Sequence, residues 1–391
     1  MSTMASALAP DRTGEDILVE ASKRRAAGVP SRFYRPELDV LRFFAFLAVF
    51  LHHGIYSFSP TFSKMGGFGL SLFFLLSAFL ITELLQREKN STGSIAIKEF
   101  YIRRSLRIWP LYFGFLAFVV VLGWFFPSHG TTLGFLLTFA FMVGNVYIGR
   151  FGFPTNPAGF LWSISIEEQF YVFWPWLNRR FGTKILRRIA LGSFPLATLT
   201  ICVLTAMHKT ANIGVWTNSV VQFQFFGMGV LLALGLNGTV PVFSGFARVA
   251  LAASGVGLWF LAASYSGMVD VGVGGVLGVN IGYYLVGLGC VALFLGAYGL
   301  DTSRVPASLI YLGKISYGLY VFHQFTLECA GWLLNRFPAT ASNTHHAVFG
   351  AGHLVLGFLL TILMAVLSYR NFETPFLKLK ERFAVIRTRT V

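Results

Sequence analysis

Two basic side chains lie within the first long apolar stretch of the chain. The stretch LDVLRFFAFLAVFLHHG (38–54) is long enough to cross a bilayer, yet Arg42 lies near its start and His53 near its end. A step of eleven residues turns a helix by about three full turns, so both side chains would share one face, about 16 Å apart. Ionisable groups are costly inside a membrane. The spacing therefore predicts a function for both Arg42 and His53. The alternative is that Arg42 snorkels to the membrane surface and His53 is an interfacial histidine.

A second basic cluster is FYIRRSLRIWPLY (100–112), in which Arg103 and Arg104 are adjacent and Arg107 follows. Arg104 and Arg107 are three residues apart, so in a helix they share a face. Pro110 favours the first turn of a helix, and guanidinium groups beside a helix start bind phosphates. The cluster predicts an anion site, and a plain positive-inside anchor is the alternative.

Two adjacent carboxylates occur in LWSISIEEQFY (161–171). Ser165 and Glu168 match a capping box, which gives Glu168 a structural role and leaves Glu167 without one. The helix predicted from there to Arg179 is about 21 Å long, shorter than the roughly 30 Å hydrocarbon core. We therefore expect Glu167 to begin inside the bilayer, at about the depth of His53.

A further polar pair occurs in KISYGLYVFHQF (314–325), where Tyr320 lies one helical turn below His323. A hydrogen-bonded core histidine is the alternative interpretation. Three separate segments nevertheless bring polar groups to one depth, which predicts a site within the membrane.

The composition indicates the class of protein. Of 391 residues, 55% are hydrophobic and 12% are charged, and the mean hydropathy is +0.66. Soluble domains hold about 25% charged residues, so the chain is predicted to be an all-α, polytopic integral membrane bundle. Apolar runs of spanning length lie at 40–58, 66–86, 108–126, 132–149, 163–178, 189–207, 219–236, 247–265, 276–298, 315–334 and 347–369.

The basic residues predict the topology. Of the 31 Lys and Arg residues, all but Lys64, Arg150, Lys209 and Arg336 lie on one set of loops or at its edge. This positive-inside pattern places both termini in the cytoplasm, and it explains the net charge of +15 without nucleic acid. Two cytoplasmic termini require an even number of crossings. We therefore expect about ten transmembrane helices, with 132–149 as a non-spanning or re-entrant segment.

The sequence predicts three parts: a basic cytoplasmic tail (1–36), a transmembrane domain (37–370) and a cytoplasmic C-terminal tail (371–391). The N-terminal tail has no short apolar region with a cleavage site, so no cleaved signal peptide is expected. Cys202, Cys290 and Cys329 lie in apolar runs without metal-binding spacing, and no metal is expected.

Four motifs in this order, Arg42-x10-His53, RRSLRIWP, WSISIEEQFY and SYGLYVFH, resemble the membrane-bound acyltransferase 3 family over about residues 34–370. The serine–isoleucine run stands where leucine and valine are more usual. The resemblance implies a bacterial inner-membrane enzyme that moves an acyl group, commonly acetyl from acetyl-CoA, to a sugar, a surface polysaccharide or a glycosylated natural product. It also implies a short member without a fused esterase-like domain.

The expected mechanism is acyl transfer from acyl-CoA, with the phosphates held at the cytoplasmic rim by Arg103, Arg104 and Arg107. His53 is predicted to act as general base on an acceptor hydroxyl, with Glu167 orienting its ring and Arg42 pairing with Asp39 or polarising CoA groups. The expected substrate-binding residues are Asp39, Trp162, Ser163, Glu168, Tyr171, Tyr320 and His323.

Three other functions remain open at the level of sequence. A transporter or exporter could use a histidine–glutamate proton relay, although no internal repeat of the kind found in carriers is evident. An acyltransferase acting on cytoplasmic acceptors would have the same basic rim. A non-catalytic assembly protein is disfavoured, because it would not need polar groups aligned at one depth.

Overall fold

The chain is helical wherever its structure is described. A computed structural model describes residues 33–55, 59–208, 213–268, 275–336 and 343–386. Most of the predicted N-terminal tail, residues 1–32, lies outside these ranges. Within them there is no strand, and the predicted all-α class is confirmed.

The helices follow one another through most of the described chain. In order they are α1 (Pro36–Gly54), α2 (Pro60–Gly67), α3 (Gly69–Thr92), α4 (Ile97–Phe125), α5 (Leu133–Ala140), α6 (Gly144–Phe151), α7 (Trp162–Arg180), α8 (Thr183–His208), α9 (Ile213–Trp216), α10 (Ser219–Leu236), α11 (Gly245–Tyr265), α12 (Val276–Ala297), α13 (Ala307–Lys314), α14 (Ser316–Leu334), α15 (Asn343–Ser368) and α16 (Thr374–Glu381). A π-helical turn, Tyr369–Glu373, joins the last two. The predicted boundary after residue 370 thus lies inside a continuous helical stretch.

Seven helical stretches of the described chain are long and apolar enough to cross a membrane. They are Pro60–Thr92, Ile97–Phe125, Thr183–Met207, Ile213–Leu236, Gly245–Tyr265, Val276–Ala297 and Phe349–Glu381. Three further helices, α1, α7 and α14, have 19 residues each and are therefore about 28 Å long at 1.5 Å per residue. They are not in this group because their composition is more polar. These three carry most of the predicted site residues. Together with the seven, they match the ten crossings expected from the sequence.

The segment predicted not to span is broken in two. α5 and α6 have eight residues each, about 12 Å, so neither can cross a core of about 30 Å. At the break, Met142 has a φ of 57°, in the left-handed region that is unfavourable for a side chain with a Cβ. The next helix begins at Gly144, where a Cβ would lie 2.8 Å from the Phe139 ring. The prediction for 132–149 is confirmed.

The bundle has a buried centre and a lipid-facing periphery. In the stretch Pro60–Thr92, 83% of the most apolar window is buried, against 22% in Thr183–Met207, Gly245–Tyr265 and Phe349–Glu381. α3 packs against α1, α7 and α10, so it lies at the centre. The polar helices α1 and α7 are therefore covered by protein, where their ionisable side chains can find partners.

The start of α7 corrects one sequence interpretation. A 3₁₀ turn, Pro157–Leu161, leads directly into the helix, which begins at Trp162 rather than after Ser165. Ser165 is therefore inside the helix, and its hydroxyl accepts a hydrogen bond from the Gly144 N–H at 3.2 Å. The predicted capping box with Glu168 is wrong, because the preceding turn already starts the helix.

Candidate active site

A partly enclosed cavity lies among α1, α3, α4, α7 and α14. Seven residues predicted from the sequence line it: Arg42, Arg104, Arg107, Ser163, Glu167, Tyr171 and Tyr320. The other lining residues are Leu70, Phe73, Phe74, Ser77, Ile108, Ile164, Ser316 and Tyr317. We call this space the arginine cavity. The fold thus brings together side chains from segments that are far apart in sequence.

Three guanidinium groups give the cavity its charge. Arg42 comes from α1, whereas Arg104 and Arg107 come from one face of α4, as their spacing predicted. The Arg104 guanidinium carbon lies 5.2 Å from the centroid of the Tyr171 ring, within range of a cation–π interaction. Arg42 is also 3.9 Å from the Asp39 carboxylate. Among the described lining residues Glu167 has the only carboxylate, so the lining suits an anionic ligand.

Glu167 is held by two hydroxyl groups. The Ser77 hydroxyl on α3 and the Tyr171 phenol, one turn along α7, both donate to its Oε1 atom. No described group hydrogen-bonds its Oε2 atom. The carboxylate is therefore fixed in direction, with Oε2 left for a ligand in the cavity.

Ser163 and Tyr320 close one wall of the cavity. Their hydroxyl oxygens are 2.6 Å apart, and the Tyr320 hydroxyl donates to the Phe160 carbonyl at 2.9 Å. These bonds tie α7 and α14 to the 3₁₀ turn that precedes α7. Both residues are placed where a substrate in the cavity would meet them.

Three histidines form a second group, which we call the histidine cluster (His52, His53 and His323). The ring centroid of His53 lies 4.6 Å from that of His52 and 5.1 Å from that of His323. The Phe160 ring lies 4.4 Å from the His53 ring. His53 therefore points into the protein, as predicted. The described residues contain no group of three or more side chains placed to hold a metal ion.

The two other histidines of the cluster make local hydrogen bonds. His52 Nδ1 lies 2.7 Å from the Ser63 carbonyl, and His323 Nδ1 bonds the Tyr320 carbonyl. The His323 Nε2 atom is buried, and no described group bonds it.

The histidine cluster adjoins the arginine cavity without lining it. The Tyr320 ring lines the cavity and lies 5.4 Å from His323, which contacts His53 in turn. The described hydrogen bonds of Glu167 go to Ser77 and Tyr171 and not to His53. The orienting role of Glu167 for His53 stays a prediction, and in the described contacts it has no direct hydrogen bond to act through.

Besides His323, three other predicted substrate-binding residues do not line the cavity. Asp39 is buried next to Arg42, and Trp162 packs in the apolar core. Glu168 accepts a hydrogen bond from the Trp109 indole at 3.1 Å, and its Oε1 atom is buried without a described partner. These residues support the walls from behind.

Arg103 faces away from the other two arginines. Its guanidinium donates to the Phe383 carbonyl at 2.8 Å and lies 3.3 Å from the buried Glu88 carboxylate. It is not among the lining residues of the arginine cavity. Adjacent helical residues differ by about 100° in direction, which separates Arg103 from Arg104. The structure thus brings together two of the three arginines predicted to hold phosphate.

Sequence reasoning missed three residues of this region. Ser77 is one of three serines in α3, and its position carries no spacing signal. Phe160 lies in the 3₁₀ turn before α7, and its role depends on a contact with His53. Tyr317 lines the cavity and donates to the Ile108 carbonyl at 2.8 Å. Its position three residues before Tyr320 could have revealed it.

Two of the proteins that this chain is similar to in sequence are O-acetyltransferases. The peptidoglycan O-acetyltransferase OatA of Listeria monocytogenes is 27% identical over 89% of this chain and 56% of its own length. The O-acetyltransferase OatA of Staphylococcus aureus is 26% identical over 88% of this chain and 57% of its own length. The chain thus spans little more than half the length of these relatives. No solved structure matches.

A family assignment rests on most of the sequence. The acyltransferase domain named Acyl_transf_3 matches residues 35–370, a range that includes every predicted site residue. This chain therefore belongs to the acyltransferase 3 family and is a multi-pass membrane acyltransferase.

Proposed function

We propose that this protein transfers an acetyl group from acetyl-CoA to a hydroxyl group of a carbohydrate, as an O-acetyltransferase of the bacterial cell membrane. The observation that carries the proposal is the arginine cavity, which joins three guanidinium groups and one fixed carboxylate beside the histidine cluster. Peptidoglycan is the first acceptor to test, because the Listeria relative is named for it. Other polysaccharides and glycosylated small molecules are the alternatives.

The positive charge of the arginine cavity supports CoA as the donor. CoA carries its phosphates at one end and its thioester at the end of a flexible arm. Buried charge is costly unless paired, so the phosphates would bind Arg104 and Arg107 at the rim and the arm would extend past Arg42. We place this rim and both termini on the cytoplasmic side, because the basic loops favour that orientation.

The chemical step would take place where the cavity meets the histidine cluster. His53 accepts the proton of the acceptor hydroxyl while the oxygen attacks the thioester carbonyl. The carbon–sulfur bond then breaks, the acetyl ester remains on the acceptor, and CoA leaves as a thiolate that takes up a proton. Tyr320 and Ser163 lie between the two groups, where the thioester would arrive.

A transporter with a histidine–glutamate relay receives no such support. A relay needs proton exchange between the two side chains, directly or through a bridging group. Glu167 is hydrogen-bonded to Ser77 and Tyr171, and the described neighbours of His53 are rings. Acyl transfer is therefore the single proposal.

The test is an assay of the purified protein in lipid nanodiscs with acetyl-labelled acetyl-CoA. We expect label to enter peptidoglycan fragments as a base-labile ester, with one free CoA released per ester formed. A panel of polysaccharides and glycosylated small molecules identifies the acceptor class. If acetyl-CoA bound without transfer to any of them, the proposed reaction would be wrong.

A further inference from the structure

Three polar side chains close a ring of hydrogen bonds on the far side of α7. Gln169 Nε2 donates to Asn145 Oδ1 at 3.0 Å, Asn145 Nδ2 donates to Ser219 Oγ at 2.9 Å, and Ser219 Oγ donates to Gln169 Oε1 at 2.5 Å. The three residues come from α7, α6 and α10. We call this ring the amide triad.

Every side-chain nitrogen and oxygen atom of the amide triad makes a hydrogen bond. The second amide proton of Asn145 goes to the Thr217 carbonyl at 3.0 Å, and that of Gln169 goes to the Met142 carbonyl at 3.1 Å. Each side-chain oxygen of the ring accepts one bond. Because every bond runs in the same direction around the ring, the bonds polarise one another, and removing one member weakens the rest. Such a ring specifies one arrangement of its three helices.

The triad holds the face of α7 opposite to the cavity. Glu167 and Tyr171 are one turn apart and line the cavity, whereas Ser165 and Gln169 lie on the other side of the helix. Ser165 accepts from the Gly144 N–H, and Gln169 donates to the Met142 carbonyl. Both therefore hold the break between α5 and α6.

That break has a conformation that needs support. Met142 has a positive φ, and such a residue persists only where its surroundings fix it. The chain beyond α6 leads through the 3₁₀ turn to Phe160, whose ring packs on His53. The α5–α6 break, the 3₁₀ turn and the rotation of α7 about its axis therefore all affect where the Phe160 ring packs on His53.

We propose that Gln169, Asn145 and Ser219 are positioning residues for acyl transfer. By fixing α7 against the α5–α6 break, the amide triad sets the direction of the Glu167 carboxylate and the position of Phe160 against His53. The triad touches no cavity-lining arginine, because those come from α1 and α4. The inference rests on the proposed function, and it predicts that loss of the triad lowers turnover and leaves donor binding intact.

The test compares Ser219→Ala with Ser219→Thr in the full-length protein. Ser219→Ala removes one member of the ring, and a displacement of about 1 Å at a reacting group costs on the order of 100-fold, so we expect kcat to fall about 10- to 100-fold. The Kd for acetyl-CoA should stay within about twofold. Ser219→Thr keeps the hydroxyl and should retain turnover. Ser254→Ala deletes the same atoms from an exposed serine whose one hydrogen bond among the described residues goes to the Leu251 carbonyl, and should have no effect.

Hydrogen exchange gives a readout that does not depend on activity. Amides of residues 144–161 should exchange faster in Ser219→Ala than in the unaltered protein or in Ser254→Ala. Gln169→Met, which keeps the length of the side chain, should reproduce both effects and replaces Ser219→Ala if that variant is poorly produced. Unchanged exchange, unchanged kcat, or losses of kcat and donor affinity in equal proportion would each overturn the inference. The exchange result stands even if the unaltered protein transfers no acetyl group, so the two failures are distinguishable.

Discussion

The arginine cavity and the histidine cluster are neighbours with opposite properties. The cavity has open volume, three cations and a carboxylate with one oxygen left for a ligand. The cluster is packed ring against ring, with Phe160 4.4 Å from His53, and it does not line that open space. α1 contributes to both, through Arg42 at one level and His53 eleven residues later.

The difference separates two tasks. A cavity that already holds three cations presents its charge to an anionic donor from the start. The His53 imidazole is packed against the rings of His52, His323 and Phe160, so an acceptor hydroxyl would have to approach it past these rings. Donor affinity and turnover should therefore respond to different substitutions.

The largest effect is expected at the histidine cluster. His53→Gln removes the proposed base, and general base catalysis contributes about 10²- to 10⁴-fold, so kcat should fall by that factor. The Kd for acetyl-CoA should be unchanged when measured by equilibrium binding. His129→Gln, in the turn after α4, is the matched control. Near-normal turnover by a correctly inserted His53→Gln protein would eliminate this residue as the base.

The arginine cavity should show the reverse pattern. Replacing Arg104 and Arg107 together by Ala removes two charge-assisted contacts of about 1.5–3 kcal/mol each, which raises the Kd for acetyl-CoA at least about 100-fold. Turnover at saturating donor should change less. Arg188→Ala removes an exposed cation elsewhere and serves as control. Normal donor affinity in the double variant would contradict the phosphate assignment.

A smaller effect is expected from the support of Glu167. Ser77→Ala removes one of the two donors to the Glu167 carboxylate. A net hydrogen bond to a charged group is worth about 1.5–3 kcal/mol, and we expect the loss of this one to lower kcat about tenfold. Ser71→Ala lies on the same helix, and its hydroxyl has no described partner, so it should leave kcat unchanged. Equal kcat values for the two variants would show that Ser77 has no part in positioning Glu167.

The smallest effect is expected at Arg103. Arg103→Lys keeps a cation next to the buried Glu88 and alters nothing that lines the cavity, so the Kd for acetyl-CoA should stay within about twofold. Thermal unfolding should confirm that the protein remains folded. A large loss of affinity for acetyl-CoA would show that Arg103 does take part in phosphate binding.

General rules for helices in membranes were enough to predict from the sequence where several residues lie. The one-face spacing of Arg104 and Arg107 followed from helical periodicity, and the break in 132–149 followed from the positive-inside pattern and the even number of crossings that it requires. Seven of the predicted residues line one cavity. Their chemical roles are the part that the assays above address.

The remaining features depend on tertiary contacts that no local pattern encodes. Ser77 meets Glu167 only because α3 packs on α7, and Arg103 turns towards Glu88 because adjacent helical residues diverge. The capping box at Ser165 was wrong because the turn at 157–161 starts the helix earlier. Local motifs predict which side chains share a face of one helix, but they do not predict which side chains meet between two helices.

The polar composition of α1 has a consequence for how the chain is made. α1 is synthesised before the other described helices, yet it falls outside the group that is apolar enough to cross a membrane by composition. Partition of a nascent helix into lipid follows its own apolarity. α1 packs against α3 and α13, which leave the ribosome later. Stable insertion of α1 therefore depends on its contacts with helices that are synthesised after it.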